Sequence, residues 1–433
     1  MMVSIPSKTQ TLTSWLYRPV FPESWQKANL YALALWTNGM AFRNINFTKW
    51  GRPIIKIAEI KNGISGQTKF TDSEYEACYF VTAGDMLFAW SGQPETSIDV
   101  SWWRGPDGWL NQHIFKVQPN EDYCDRRFFY YLLKYLKPNF IGIARNKQTT
   151  GLGHVTTYDL KNISVGVPPL PEQRAIAHIL GTLDDKIELN RRMNQTLEAM
   201  AQALFKSWFL DFDPFREHGM QDSPLGEIPV GWMVGNISDI AMISRKSINP
   251  NNFPTEVFDH YSIPAFDEGR MPKAEEGGQI HSNKFEIPSK AVLVSKLNPR
   301  FPRVWLPHPI TAHRSVCSTE FLVCLTSEDA TREYLFSLFS SNSFRETFST
   351  LATGTSSSHQ RVRPEDLLVM ATVVPPKHVV TEFSDAIAPF FSKVSQNLFE
   401  SRTLNGLRDS LLPKLLSGEM RVKDAEKLVE KTL

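Results

Sequence analysis

Residues 168–215 read PPLPEQRAIAHILGTLDDKIELNRRMNQTLEAMAQALFKSWFLDFDPF. From Ile176, an alternation of four and three picks out Ile176, Leu180, Leu183, Ile187, Asn190, Asn194, Leu197, Ala201, Leu204 and Trp208. That is a heptad seam sustained for about five heptads. Its flanks are charged or polar, as at Asp184, Asp185, Lys186, Arg191, Arg192, Glu198 and Lys206. A helix of roughly 36 residues is ~54 Å long, against an average of ~11–12 residues. A seam of that length needs a partner.

The same chain supplies one. An offset of 207 residues returns Phe383, Ile387, Phe390, Val394, Asn397, Ser401, Leu404, Arg408, Leu411 and Leu415 without a gap. Asn190 then matches Asn397, and Leu197, Leu204 and Phe205 match Leu404, Leu411 and Leu412. Upstream, Asp159-Leu160 matches Asp366-Leu367, and Pro168-Pro169 matches Pro375-Pro376. A further match pairs Ile57-Ala58-Glu59-Ile60 with Ile237-Ser238-Asp239-Ile240, at an offset of about 180. It predicts a second domain about 27 residues longer than the first. The fold class is α+β, a tandem duplication of a mixed domain followed by a long helix.

The expected boundaries are an N-terminal arm and helix at 1–50, a mixed domain at 51–167 and a long helix at 168–218. A second mixed domain follows at 219–374, and a second long helix with a charged tail at 375–433. The spacing of Leu30, Leu33 and Trp36 predicts an amphipathic helix over 24–41. Pro53–Ile60 reads as a strand, and 125–136 and 331–341 as helices. The segments 144–153 and 352–360 read as polar loops. Residues 419–433 are expected to fray or to dock on a partner.

With 42% hydrophobic and 21% charged residues, a chain of 433 residues is cored and globular. No apolar run reaches ~18 residues, so no membrane span is expected. The N-terminus lacks the pattern of a secretory signal. Cys78, Cys124, Cys317 and Cys324 show no metal-binding spacing and read as free thiols of a reducing cytoplasm. No metal site is expected. The net charge of +1 excludes a strongly basic nucleic-acid coat but not a local basic surface.

Several motifs together resemble one family. PPLPEQRAIAHIL with WFLDFDP, SPLGEIPVGW at 223–232, and LRDSLLPKLLSGEMRV at 407–422 look like conserved regions of type I restriction–modification specificity subunits. GDMLFAWSG at 84–92 with LNQHIFKV at 110–117 is similar to a strand pair of that family's recognition domains. The first fifty residues depart from its commonest pattern. The resemblance implies two target-recognition domains at opposite ends of an antiparallel coiled coil, each reading half of a split double-stranded DNA target. It implies two modification (methyltransferase) subunits as partners, with restriction (translocase-nuclease) subunits joining for cleavage. It also implies that this chain is not an enzyme and that S-adenosylmethionine binds the partner.

The residues support a DNA reader on their own terms. Residues 284–314 carry Lys284, Lys290, Lys296, Arg300, Arg303 and Arg314 against Glu286, and 144–150 carries Arg145, Lys147, Gln148 and Thr149 without an acid. Arg and Lys suit guanine edges, and Asn and Gln suit adenine. Gln93, Asn111, Gln112 and Gln148 are base-reading candidates in the first half, and Asn298, Arg300, Arg303 and Gln360 in the second. Ser91, Lys147, Lys296, Ser356, Ser357 and Ser358 suit phosphates. The seam residues Asn190, Asn194 and Asn397 either fix register or mark a wet widening. Trp102 and Trp103 suit either stacking or packing, with a core role the favoured reading.

Catalytic motifs are missing. Asp213-Pro214-Phe215 lacks the second proline of an adenine-methyltransferase motif, and Thr353-Gly354-Thr355-Ser356 lacks the lysine of a phosphate loop. Adenine methylation requires a base-flipping pocket, which a partner must then supply. A self-sufficient methyltransferase or nuclease, and a purely structural coiled coil, are the competing classes.

Overall fold

The computed structural model describes residues 21–43, 47–148, 151–308, 311–353 and 360–432. They divide into two units: the chain up to Ile187 together with everything from Thr403, and Glu188–Arg402. No described helix is long and apolar enough to cross a membrane.

In the first unit, strand Gln26–Asn29 pairs antiparallel with Ser164–Val167. A four-stranded antiparallel sheet runs in the order Ala34–Asn38, Ile114–Pro119, Met86–Ala89, Asp99–Trp102. The helix Arg126–Tyr135, capped by Asp125, buries Phe128, Phe129, Leu132 and Leu133 in the same core. A second sheet sets Arg52–Ile55 parallel to Gly108–Leu110.

The second unit repeats the plan. Met233–Asn236 pairs with Ala371–Val374, and a four-stranded sheet orders Ala241–Ser244, Phe321–Thr326, Ala291–Ser295, Val304–Trp305. A five-stranded sheet sets Val257–Tyr261 parallel to Arg314–Cys317.

The helix expected over 24–41 is replaced by strand, one 3₁₀ turn at Leu30–Leu33, and strand. The spacing of three between Leu30 and Leu33 is the period of a 3₁₀ turn, and both flanking segments give their backbone bonds to Ser164–Val167 and Ile114–Pro119. Asn29 caps the turn, accepting from the N–H groups of Tyr31 and Ala32. The second unit has the same device: Trp232, then Asn236 capping Ile237–Ile240, then the edge strand. Trp25 and Asn29 therefore answer to Trp232 and Asn236 at the seam's own offset.

This overturns the offset of 180. Ile57–Asn62 is a helix that follows a parallel strand, and its counterpart is Ile263–Asp267, not Ile237–Ile240. The two halves are equal in length from the first strand pair to the second. The strand expected over 53–60 likewise stops at Ile55, where the helix begins.

Both long helices have 40 residues, Leu170–Phe209 and Lys377–Leu416, each ~60 Å long. In the first unit Ile176, Leu180 and Leu183 share a core with Leu404, Leu411 and Leu415. In the second, Ala201, Phe205 and Phe209 share one with Phe383, Ile387 and Phe391. The pairing is antiparallel. The seam is not uniform: Leu197, Leu204 and Trp208 are only partly buried, and Phe205 and Phe209 take the inner face. A helix of 3.6 residues per turn drifts from a 3.5-residue repeat, and here the drift brings Phe209 against Tyr334 and Phe383. Ile187 and Phe390 are also partly buried, whereas Val394 is buried.

Asn190, Asn194 and Asn397 are buried in the second unit. Asn397 Nδ2 donates to Asn194 Oδ1 at 2.8 Å; Asn190 Nδ2 donates to Ser401 Oγ at 3.3 Å and to Glu400 Oε2 at 2.8 Å. Residues 190 and 194 answer to 397 and 401, so the duplication exchanges equivalent bonds across the seam.

The first long helix ends at Phe209, and three residues on Phe212, with φ of 58°, keeps the chain from resuming it. The C-terminal tail forms the helix Val422–Glu430 and buries Ala425 and Val429 in the first unit's own core, instead of fraying. Trp103 is buried, while Trp102 stacks on Tyr130.

Candidate nucleic-acid interface

In the first unit, three segments converge beyond the end of the central strand. The Trp90 N–H donates to the His113 carbonyl at 3.2 Å, and the Val155 N–H donates to the Trp90 carbonyl at 2.9 Å. Ser91–Gly92 pairs with Gly153–His154. Trp90 Nε1 donates to Asn38 Oδ1 at 2.9 Å, and its ring lies 5.8 Å from that of His113. Gln112 Nε2 is 3.3 Å from His113 Nε2. Burial, and then neighbouring His154, holds the His113 imidazole below its ordinary value.

The expected polar loop at 144–153 is partly helix, since Lys137–Asn146 is α-helical. Its cations are not unpaired. Arg145 meets Glu95, and Lys147 Nζ donates to both Asp159 oxygens at 2.5 and 2.6 Å. Glu95 is 50 residues from Arg145 and Asp159 is 12 from Lys147, so both fall outside the segment 144–150. Gln148 closes its own turn onto the Gly151 carbonyl. Gln93 precedes the short helix Pro94–Ser97 and accepts from Thr96. Asn111 is buried, and its Oδ1 accepts from the His113 N–H. Thr149, Ser356, Ser357 and Ser358 lie outside the described residues.

The second unit builds the same junction. The Lys296 N–H donates to the Glu320 carbonyl at 2.9 Å, and the Val362 N–H donates to the Lys296 carbonyl at 3.1 Å. Leu297 bridges to Arg361. Asn298, with φ of 48°, donates its N–H to the Gln360 carbonyl at 2.8 Å. Arg300 and Arg303 both lie over the exposed Phe301 ring, and Arg303 makes two bonds to Asp267. Lys296, Asn298, Arg300, Arg303 and Gln360 thus share one loop cluster. Arg314 stands apart on the five-stranded sheet, against Glu256, Phe253 and Phe258. Lys284 is buried on Ser282.

Trp90, His154, Glu320 and Arg361 are interface residues that the sequence reading did not single out. Each occupies the junction, and the offset of 207 would have paired His113 with Glu320 and His154 with Arg361. Among the described residues no cluster could hold a metal ion, and all four cysteines are free.

Residues 22–199 match the family model for the type I restriction modification DNA specificity domain. The match takes in the strand Gln26–Asn29 and the turn and strand that follow it. The chain is 28% identical to the type I restriction enzyme MjaIX specificity subunit of Methanocaldococcus jannaschii, over 61% of this chain and 62% of that one. It is 25% identical to the HindI specificity subunit of Haemophilus influenzae, over 70% and 79%. The match to the M. jannaschii relative thus spans under two thirds of that protein's length. Among solved structures, the type I restriction–modification S subunit of M. genitalium shares the fold with a TM-score of 0.50 at 14% identity, covering 93% and 97%. Residues 22–199 thus match the type I restriction modification DNA specificity domain, and the chain as a whole is similar to type I restriction–modification specificity subunits.

Proposed function

We propose that this chain is the non-catalytic DNA-recognition subunit of a cytoplasmic type I restriction–modification complex serving bacterial defence. Each unit binds one half of a split double-stranded target, and the paired helices set the spacer. Two modification (methyltransferase) subunits dock on the chain and carry S-adenosylmethionine; restriction (translocase-nuclease) subunits join for cleavage. The observation that carries this reading is the duplicated junction, because a bipartite site needs two equivalent readers on a fixed ruler. One turn of B-DNA is ~34–36 Å, a span within the length of either helix. Phosphate contacts from the basic loops would make binding fall steeply with salt.

The test is methylome sequencing in a host without other methyltransferases. The chain is expressed with its modification subunit, and that subunit is also expressed alone. Adenine methylation at one split motif, only when this chain is present, is expected. Exchanging residues 22–167 should change one half-site. A continuous motif, or methylation without this chain, overturns the proposal.

A further inference from the structure

The junction has the same backbone in both halves and different side chains. Trp90, His113 and His154 stand in the first half where Lys296, Glu320 and Arg361 stand in the second, held by matching backbone hydrogen bonds. A duplicated frame keeps what both copies need. Partly exposed side chains that diverge on a retained backbone mark where the two copies meet different ligands.

Arg361 has the more specific geometry. Its Nε donates to the Glu320 carboxylate at 3.0 and 3.2 Å, and its Nη2 donates at 2.8 Å. Glu320 therefore grips the side-on edge of the guanidinium and orients the end-on Nη pair away from itself. The arginine side chain is still 43% exposed and the glutamate 25%. Such an exposed ion pair adds little stability, but it removes rotamer freedom from a planar donor fork. A fixed end-on fork matches guanine O6 and N7. Lys296 and Arg300 flank the site on the same loop, and Arg363 follows on the other strand. Their charge suits the phosphates beside a groove. The first half offers imidazoles and an indole instead, with no guanidinium at the equivalent place.

We infer that Arg361, positioned by Glu320, reads a guanine in the half-site bound by the second unit, and that the first unit has no equivalent contact. This rests on the reading of the chain as a two-headed DNA reader.

The test is methylome sequencing of the complex carrying Arg361→Lys, Arg361→Gln or Glu320→Gln. Arginine to lysine keeps a phosphate contact but loses the fork. The second half-site should become degenerate at one guanine position with Arg361→Lys and Arg361→Gln. Discrimination there should fall roughly 5- to 150-fold, and less with Glu320→Gln. The first half-site should be unchanged. An unchanged motif with Arg361→Lys and Arg361→Gln overturns the inference and leaves the pair as a surface tie. So does uniformly weaker methylation with unchanged sequence preference. A wild-type complex without a split motif would instead overturn the underlying function, so the two failures are distinguishable.

Discussion

At three equivalent positions the two units fasten their sheets to the long helices with different chemistry. The first uses polar side chains. Gln173 is buried; its Oε1 accepts from the Asp125 N–H, and its Nε2 donates to the Tyr123 and Pro168 carbonyls. Asp184 accepts from the Tyr131 hydroxyl and from Arg408 Nη1, both at 2.7 Å. Burial, then Asp184, pushes the Tyr131 phenol well above its ordinary range, so it stays a donor. At the equivalent positions the second unit has Val380 for Gln173, Phe391 for Asp184 and Ala201 for Arg408. Phe391 packs edge-on against Phe336, and Phe205, Phe209 and Phe383 complete the joint. A polar joint demands one geometry, and an apolar joint of similar volume adds stability with less demand on angle. One backbone frame accepts either.

The comparison can be broken most forcefully at Phe383, which is fully buried among three aromatic rings. Phe383→Ala should cost about 3–5 kcal/mol. Hydrogen exchange should report the loss in residues 188–402 before the first unit.

Acid should come next. Burial, then the charge of Arg332, holds the His308 imidazole down to about 4. Above its unfolded value of ~6.5, folded and unfolded chains are both neutral there. Between 6.5 and 4 the unfolded chain takes up a proton that the fold refuses, so stability falls as pH falls through that window, by at most ~3 kcal/mol. His308→Gln should flatten the acid limb of the second unit's melting profile. An unaltered limb would locate the acid sensitivity elsewhere.

Transplanting one joint into the other is a finer test. Asp184→Ala should cost about 1–2 kcal/mol, since Asp184 and Arg408 are each 26% exposed. The double change Asp184→Phe with Arg408→Ala copies the second unit and should cost less than Asp184→Ala. A double-mutant cycle by denaturant unfolding measures this. The smallest effect is expected at Asn190, where Asn190→Leu should raise the melting point by the equivalent of about 1 kcal/mol. A clear fall would show that the exchanged amide bonds stabilise the seam as well as register it.

Much of this architecture was legible. The heptad pattern and its offset of 207 are carried by apolar spacing, which packing enforces along the whole helix. The N-terminal strand–turn–strand was not. Its Leu30, Leu33 and Trp36 have a spacing that fits both a 3₁₀ turn with a strand and an α-helix, and only pairing with Ser164–Val167 and Ile114–Pro119 decides between them. The short match of Ile57–Ile60 to Ile237–Ile240 misled because both are small helical turns with an acid at the third position. At the interface, counting acids along the chain could not reveal Glu95 or Asp159, which reach Arg145 and Lys147 through the fold. Glu320 and Arg361 are 41 residues apart and become a pair only when their strands meet.

Each long helix starts in one unit and finishes in the other, and this has a consequence for biosynthesis. Residues 188–402 form an uninterrupted stretch, so the second unit is complete before translation ends. The first unit borrows Leu404, Leu411, Leu415, Ala425 and Val429 for its core. Its sheets leave the ribosome first, yet Leu180 and Leu183 stay uncovered until residues 404–429 emerge. At ~5–20 residues per second that delay is on the order of ten to forty seconds. The half made first is finished last, and a nascent chain cut short near residue 402 would release a whole second unit attached to an open first one.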